Sequence, residues 1–248
     1  MNLIQIEGTT EVPHLLLNRP KRVNALSASL LSELVAAINT VVNSGARSIV
    51  LAGNGRGFSG GADLSELSGT IDDLAVDERI ATATDAIVSA PIPVVVALHG
   101  FCFGGAVDLA WSSDLVIATP NARIALPAAR LGILYNPQAL QRLHARLGTR
   151  TMRRLLLFGE ELNGQEAFRI GAVDQLAAPD QLRQAANSAA QRAAKGVPPA
   201  VAASKAFLNA LDANQIALDT WETRRRQLLA SKERQTALGG HPKRDKPS

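Results

Sequence analysis

Two glycine-rich turns, each following a β-branched apolar run, constrain this chain more than any other feature. The first run is Ser48-Ile49-Val50-Leu51-Ala52-Gly53, leading into Asn54-Gly55-Arg56-Gly57-Phe58-Ser59-Gly60-Gly61-Ala62-Asp63. The second is Pro93-Val94-Val95-Val96-Ala97-Leu98-His99-Gly100, leading into Phe101-Cys102-Phe103-Gly104-Gly105-Ala106-Val107-Asp108. Glycine permits close backbone approach and angles that other residues avoid. A helix start leaves several N–H groups without intrahelical partners. Each turn reads as a strand end opening a helix, and two such starts facing one point would form a donor pair for a developing negative charge.

Around these turns, apolar runs at residues 3–6, 14–17, 48–52, 94–98 and 115–118 read as strands. Ser27 caps a predicted helix ending near Val42, and a second helix is expected between Asp72 and the Pro91/Pro93 pair. The alternation describes an α/β protein with crossover helices. From Pro137 onward Ala, Leu, Arg and Gln recur at helical spacing, with no convincing strand after about residues 173–177. Pro198-Pro199 separates two helices, and residues 243–248 are expected to be a disordered tail.

With 248 residues and 46% hydrophobic content, the chain can bury a full core. The formal net charge of +4 is localised. Between Trp221 and Ser248, Arg224, Arg225, Arg226, Lys232, Arg234, Lys243, Arg244 and Lys246 face only Glu222, Glu233 and Asp245, a net of +5 that leaves the first 220 residues at −1. That pattern fits a solvated tail or a phosphorylated small molecule, and aromatics at 4% argue against nucleic acid. One cysteine, Cys102, excludes an internal disulfide, reads as a small buried hydrophobe, and suits a cytoplasmic location. No signal peptide is expected. The apolar stretch from Pro91 to Trp111 is broken by His99, Gly100, Gly104, Gly105 and Asp108, so no membrane span is expected.

Taken alone, the first turn supports three patterns. Gly55-Arg56-Gly57-Phe58-Ser59-Gly60 fits a dinucleotide fingerprint, but Asp77 and Glu78 fall in a helical stretch where a strand-end acid is needed. Gly57-Phe58-Ser59-Gly60-Gly61 fits a hydrolase nucleophile elbow, but His144 lies in a Leu/Arg-rich helix and His241 in the tail. A plain tight turn is the third. The wider set of segments decides between them: Asn18-Arg19-Pro20-Lys21-Arg22-Val23-Asn24-Ala25-Leu26, the two turns, Ser113-Asp114-Leu115-Val116-Ile117-Ala118, Leu131-Gly132-Ile133, Leu157-Phe158-Gly159-Glu160 and Glu166-Ala167-Phe168-Arg169-Ile170-Gly171-Ala172-Val173. In this order and spacing, over roughly residues 3 to 210, the chain resembles the crotonase (enoyl-CoA hydratase/isomerase) superfamily.

The resemblance implies an α/β crotonase-like spiral of ββα units over residues 1–195, carrying acyl-CoA binding and catalysis. A helical trimerisation segment over 196–242 follows, making a homotrimer or homohexamer. It implies a CoA thioester substrate, no metal, and no cofactor beyond the coenzyme A of the substrate itself. Gly60 and Gly105 match the two backbone donors that hold the thioester oxygen. Arg22, Val23 and Ala25 match the segment lining the CoA, Gly61 is a further substrate and CoA contact, Ala62, Asp63 and Leu64 match the adenine-side loop, and basic C-terminal residues can reach CoA phosphates. Of the two hydratase glutamates, the first falls at Asp108, whose carboxylate is withdrawn by about 1.5 Å. The second falls at Ala128, beside the acyl site, where no acid stands. Asp108 is then a lone acid/base, or an anion favoured by the helix dipole, and Asp114 is structural. The Tyr135-Asn136 pair resembles methylmalonyl-CoA decarboxylases of the superfamily, with Tyr135 positioning the departing carboxylate or capping an apolar acyl pocket. Three functions are therefore expected: an enoyl-CoA hydratase/isomerase-type reaction through an enolate, a methylmalonyl-type decarboxylation, or acyl-CoA binding without catalysis.

Overall fold

The computed structural model describes residues 2–239. A six-stranded sheet carries the core, with strands β1 (Ile4–Gly8), β2 (Pro13–Leu17), β3 (Ile49–Gly53), β4 (Val94–Leu98), β6 (Leu115–Ala118) and β9 (Gln175–Leu176), in the order β1-β2-β3-β4-β6-β9. The first pair is antiparallel and every later pairing is parallel. β3 and β4 are buried at every residue because both sheet faces are covered. Ile49, Leu51, Val94, Val96 and Leu98 join the larger apolar core with helices α1 (Ala28–Asn43), α2 (Leu74–Ser89) and α3 (Gly105–Trp111). Val50, Ala52, Val95 and Ala97 face a smaller cluster closed by Leu182, Ala186, Ala189 and Ala190 of α7 (Leu182–Ala194).

A second, three-stranded sheet was not legible in the sequence: β5 (Phe101–Phe103), β7 (Arg123–Ala125) and β8 (Glu161–Asn163), in the order β5-β7-β8. Each strand has three residues, too few to show a period of two. Their cohesion comes from partners distant in sequence, such as the Arg123–Glu161 ion pair. The remaining helices are α4 (Ala128–Leu131), α5 (Pro137–Leu157), α6 (Gly164–Arg169), α8 (Pro198–Asp212), α9 (Leu218–Leu229) and α10 (Lys232–Gly239). α5 breaks at Gly148, whose φ of 71° leaves the helical region.

α1 begins as expected, with Ser27 Oγ accepting from Leu30 N–H at 3.3 Å. One expectation is corrected. The first glycine turn does not open an α-helix; it enters a 3-10 turn at Leu64–Glu66, a second follows at Ile71–Asp73, and α2 starts only at Leu74. Only the second turn runs into a helix, α3. Among the described residues no helix is long and apolar enough to cross a membrane. The predicted disordered stretch at 243–248 lies outside the described residues.

Candidate active site

The two glycine turns lie side by side, bonded to one another. Phe58 N–H donates to His99 O and Ser59 N–H to Phe101 O, both at 2.9 Å, while Phe103 N–H returns to Ser59 O at 3.1 Å. This exchange forms a parallel bridge between Ser59 and Cys102. His99 Nε2 lies 3.0 Å from Gly55 O and tightens the same seam. Glycine is demanded where the chains touch. A Cβ on Gly61, whose φ is +93°, would lie 2.6 Å from Phe103 O.

Below the turns, buried Asn24 acts as a hub. Its Nδ2 lies 2.9 to 3.1 Å from the carbonyls of Asn54, Gly57 and Phe58, its Oδ1 accepts from Arg19 N–H, and its own carbonyl accepts from Ser59 Oγ at 2.7 Å. Val23 and Asn24 both take positive φ, so the chain reverses sharply and presents the Val23 carbonyl to the first turn.

That reversal corrects the first donor. Gly60 N–H is spent on Val23 O at 2.8 Å and cannot serve a ligand without breaking that bond. The neighbouring Gly61 N–H turns to Ser59 Oγ. Two residues on, Leu26 N–H bonds Gly61 O and Asp63 N–H bonds Leu26 O, which turns Ala62 N–H to the opposite side of that bridge. Among the described residues Ala62 N–H meets no acceptor, and neither does Gly105 N–H at the first position of α3. The free pair is therefore Ala62 and Gly105. A Cβ on Gly105 would lie 2.8 Å from Ile80 Cδ1 and 3.3 Å from Ile80 Cγ2, so α2 packs closely against this turn.

Asp108 sits one turn into α3 and is 5% exposed. Arg142 of α5 grips it, Nη2 to Oδ2 at 2.9 Å and Nε to Oδ1 at 3.3 Å. Thr84 Oγ1 lies 3.3 Å from Oδ2 but gives its proton to Ile80 O at 2.9 Å. Burial raises the Asp108 carboxyl above its usual range, and the Arg142 guanidinium opposes that rise. Asp108 is thus a buried, paired carboxylate rather than an anion held by the helix dipole alone.

Tyr135 is half-buried against the main core. Its hydroxyl is buried and has no hydrogen-bond partner among the described residues. A Cβ placed on Gly104 would lie 3.4 Å from Tyr135 Oη, which puts the hydroxyl beside the second turn. Burial, with the Asp77 charge, pushes the phenol up to about 12, so at neutral pH it is a donor and not a base. Ala128 is buried at the first position of α4 and supplies no acid.

The other expected contacts divide. Residues 23–26 run beside residues 60–63, joined by the Val23–Gly60 and Leu26–Ala62 contacts. Val23 and Ala25 are half-buried, while Arg22 and Leu64 are exposed. Asp63 is not an open ligand group. Its carboxylate accepts from Ser65 N–H and Oγ and pairs with Arg19, which together hold its pKa at about 2. Cys102 is fully buried, and burial pushes its thiol up, in keeping with an inert packing role. Asp114 is structural as expected, accepting from Val94 N–H and pairing with buried Lys205 at 2.8 Å. Asn24, Thr84 and Arg142 had no sequence signal assigning them to the site.

Comparison with known proteins agrees with this geometry. Residues 7–239 match the family model described as enoyl-CoA hydratase/isomerase. The chain is 31% identical over 216 residues to the short-chain-enoyl-CoA hydratase of Clostridium acetobutylicum, covering 84% of this chain and 82% of that protein. It is also 31% identical over 223 residues to the 2,3-dehydroadipyl-CoA hydratase of Escherichia coli, covering 87% and 84%. Among solved structures, the enoyl-CoA hydratase of Bacillus anthracis superposes with a TM-score of 0.86 at 28% identity, covering 96% of this chain and 95% of that one. With the crotonase fold, the paired turns and their free N–H groups in place, this chain belongs to the enoyl-CoA hydratase/isomerase family and is an acyl-CoA enzyme of that type.

Proposed function

We propose that this enzyme moves a double bond in an enoyl-CoA thioester by a single-carboxylate proton shuttle. One observation carries the reading: Asp108 is the one acid at the two carboxylate positions, with alanine at 128. In the proposed step the thioester oxygen accepts from Ala62 N–H and Gly105 N–H. Asp108 removes a proton from the α-carbon of a 3-enoyl thioester, and the C–H electrons pass into the dienolate. The Asp108 carboxylic acid, which exchanges its proton with solvent while the dienolate stands, then delivers a proton to the γ-carbon as the carbonyl re-forms, so substrate and product have the same composition. Asp108 Oδ1, which takes only the longer 3.3 Å bond from Arg142, is the oxygen with spare capacity. Hydration needs a second positioned acid/base, and lacking one costs roughly 10²–10⁴-fold.

A second reading rests on the Tyr135 hydroxyl, buried without a partner beside Gly104. A buried polar group without a partner is costly, about 1–3 kcal/mol, and a substrate carboxylate would satisfy it. In that reading Tyr135 orients the carboxylate of a malonyl-type thioester, CO2 leaves, and the two N–H groups receive the enolate.

Incubation with 3-enoyl-, crotonyl- and methylmalonyl-CoA, with products weighed and separated by chromatography, tests both. The proton-shuttle reading expects 3-enoyl-CoA to convert fastest, to an isomer of unchanged mass. Faster gain of water by crotonyl-CoA overturns it, and loss of CO2 as the fastest conversion selects the Tyr135 reading.

We read Arg22, Val23 and Ala25 with residues 61–64 as the CoA path, residues 1–195 as the catalytic core and 196–242 as the assembly segment. Exposed Leu208, Leu211 and Leu218 on α8 and α9 support a homotrimer or hexamer, which light scattering tests. A free, buried Cys102 suits a reducing, cytoplasmic setting.

A further inference from the structure

Asp108 lies where three helices meet, and the three do not contribute equally to its environment. Its own helix, α3, supplies the carboxylate. From α2 come Thr84, whose hydroxyl proton goes to Ile80 O, and the carboxylate of Asp85. From α5 comes Arg142, the one cation among the described residues that pairs with Asp108. The same guanidinium reaches Asp85 Oδ1 with Nη1 at 3.5 Å, so its plane is fixed from two sides. Burial and the Asp85 charge both favour a neutral carboxylic acid at position 108, and a neutral acid is a donor that cannot accept a substrate proton. The Arg142 guanidinium works the other way.

We propose that Arg142 is the positioning residue of this active site, holding the Asp108 carboxylate charged and in one orientation for proton transfer. The inference rests on the reading of Asp108 as the acid/base. Arginine is the residue type suited to this task. Its planar fork takes both carboxylate oxygens and leaves a third nitrogen for Asp85, whereas a lysine ammonium is a point charge on a flexible stem. Asp85 is largely exposed, so solvent weakens its claim on the guanidinium and Asp108 keeps the stronger hold.

The test compares pH profiles of kcat/KM for the parent, Arg142→Gln, Arg142→Lys and Asp108→Asn, using whichever CoA substrate the parent turns over. Removing an opposite charge at this range raises a carboxyl pKa by about 1–3 units, so the acidic limb of Arg142→Gln moves toward neutrality by that amount. Its kcat falls by more than its KM changes. Arg142→Lys restores the charge, so its limb stays near that of the parent, but its kcat remains below the parent because one ammonium cannot fix both oxygens. An Arg142→Gln limb at the parental pH overturns the inference, as does Arg142→Lys matching the parent in both kcat and limb. Where Arg142→Gln does not fold, the Lys variant alone decides. Asp108→Asn separates the two layers. Parental turnover there removes the acid/base reading itself. Loss of turnover there with an unmoved Arg142→Gln limb removes only the role given to Arg142.

Discussion

Adding one methyl group at Gly61 should open the seam on which the donor pair depends. Gly61 has φ of +93°, and its ideal Cβ lies 2.6 Å from Phe103 O and 3.7 Å from Gly104 Cα. Alanine in left-handed backbone costs about 1–2 kcal/mol. The contact is with main chain, so it cannot be relieved by rotating a side chain. To reach an ordinary separation the two turns must part by roughly 1 Å, and a displacement of that size costs on the order of 10²-fold in rate. Ala62 N–H then moves relative to Gly105 N–H. Gly60→Ala is the internal control. Its Cβ would meet nothing closer than Val23 O at 3.7 Å, and its φ is not positive. Steady-state kinetics and thermal melts of both variants are the assay. Gly61→Ala should lose about 10²-fold in kcat/KM, with a Tm lower by about 2–8 °C. Gly60→Ala should stay within a few-fold of the parent. If Gly61→Ala keeps parental kcat/KM, the seam does not hold the donors; if Gly60→Ala is the more damaging, the assignment of Ala62 over Gly60 fails.

Three further outcomes concern the frame around the site. Asn24→Ala strips the amide from the carbonyls of Asn54, Gly57 and Phe58, the last two bonds buried, and should cost about 1–3 kcal/mol in urea unfolding, with a loss of turnover that Ser59→Ala reproduces only in part. Asp63 has its pKa lowered, so its contribution is complete above the ordinary carboxylate value near 4 and is lost as pH falls toward about 2. Urea midpoints should therefore drop across that window in the parent and drop less in Asp63→Asn; equal slopes would refute the pairing. Lys205→Met leaves Asp114 without its cation and the carbonyls of Ile87 and Ile92 without a donor, for a loss of about 3 kcal/mol. A parental urea midpoint would show that α8 is anchored by other contacts.

Much of the frame was legible because local pattern and tertiary demand agree. β3 and β4 are continuous apolar runs, and the structure buries them on both faces. Ser27 announced α1, and α2 fell between Asp72 and Pro91 as expected. The second sheet was hidden because its strands are three residues long and gain their hydrogen bonds from segments up to 40 residues away. The site shows the same division. Both turns could be read from their glycines, but the choice between Gly60 and Ala62 depends on where the Val23 carbonyl points, and that follows from a positive φ at a β-branched residue. Asp108 could be read from the turn it follows. Arg142 could not, since it is one of five arginines on α5 and nothing local distinguishes it from Arg146, Arg150, Arg153 or Arg154.

The central claim is that this chain stabilises a thioester enolate between Ala62 and Gly105 and moves its α-proton through Asp108. Deuterium exchange tests that claim without presuming the final product. A 3-enoyl-CoA or a saturated acyl-CoA is held with enzyme in D2O, and the α-carbon is followed by NMR and mass spectrometry. The account predicts α-deuterium incorporation by the parent, falling by roughly 10²–10⁴-fold in Asp108→Asn. Turnover of a thioester substrate with no solvent deuterium at carbon, or exchange at the parental rate in Asp108→Asn, would contradict it.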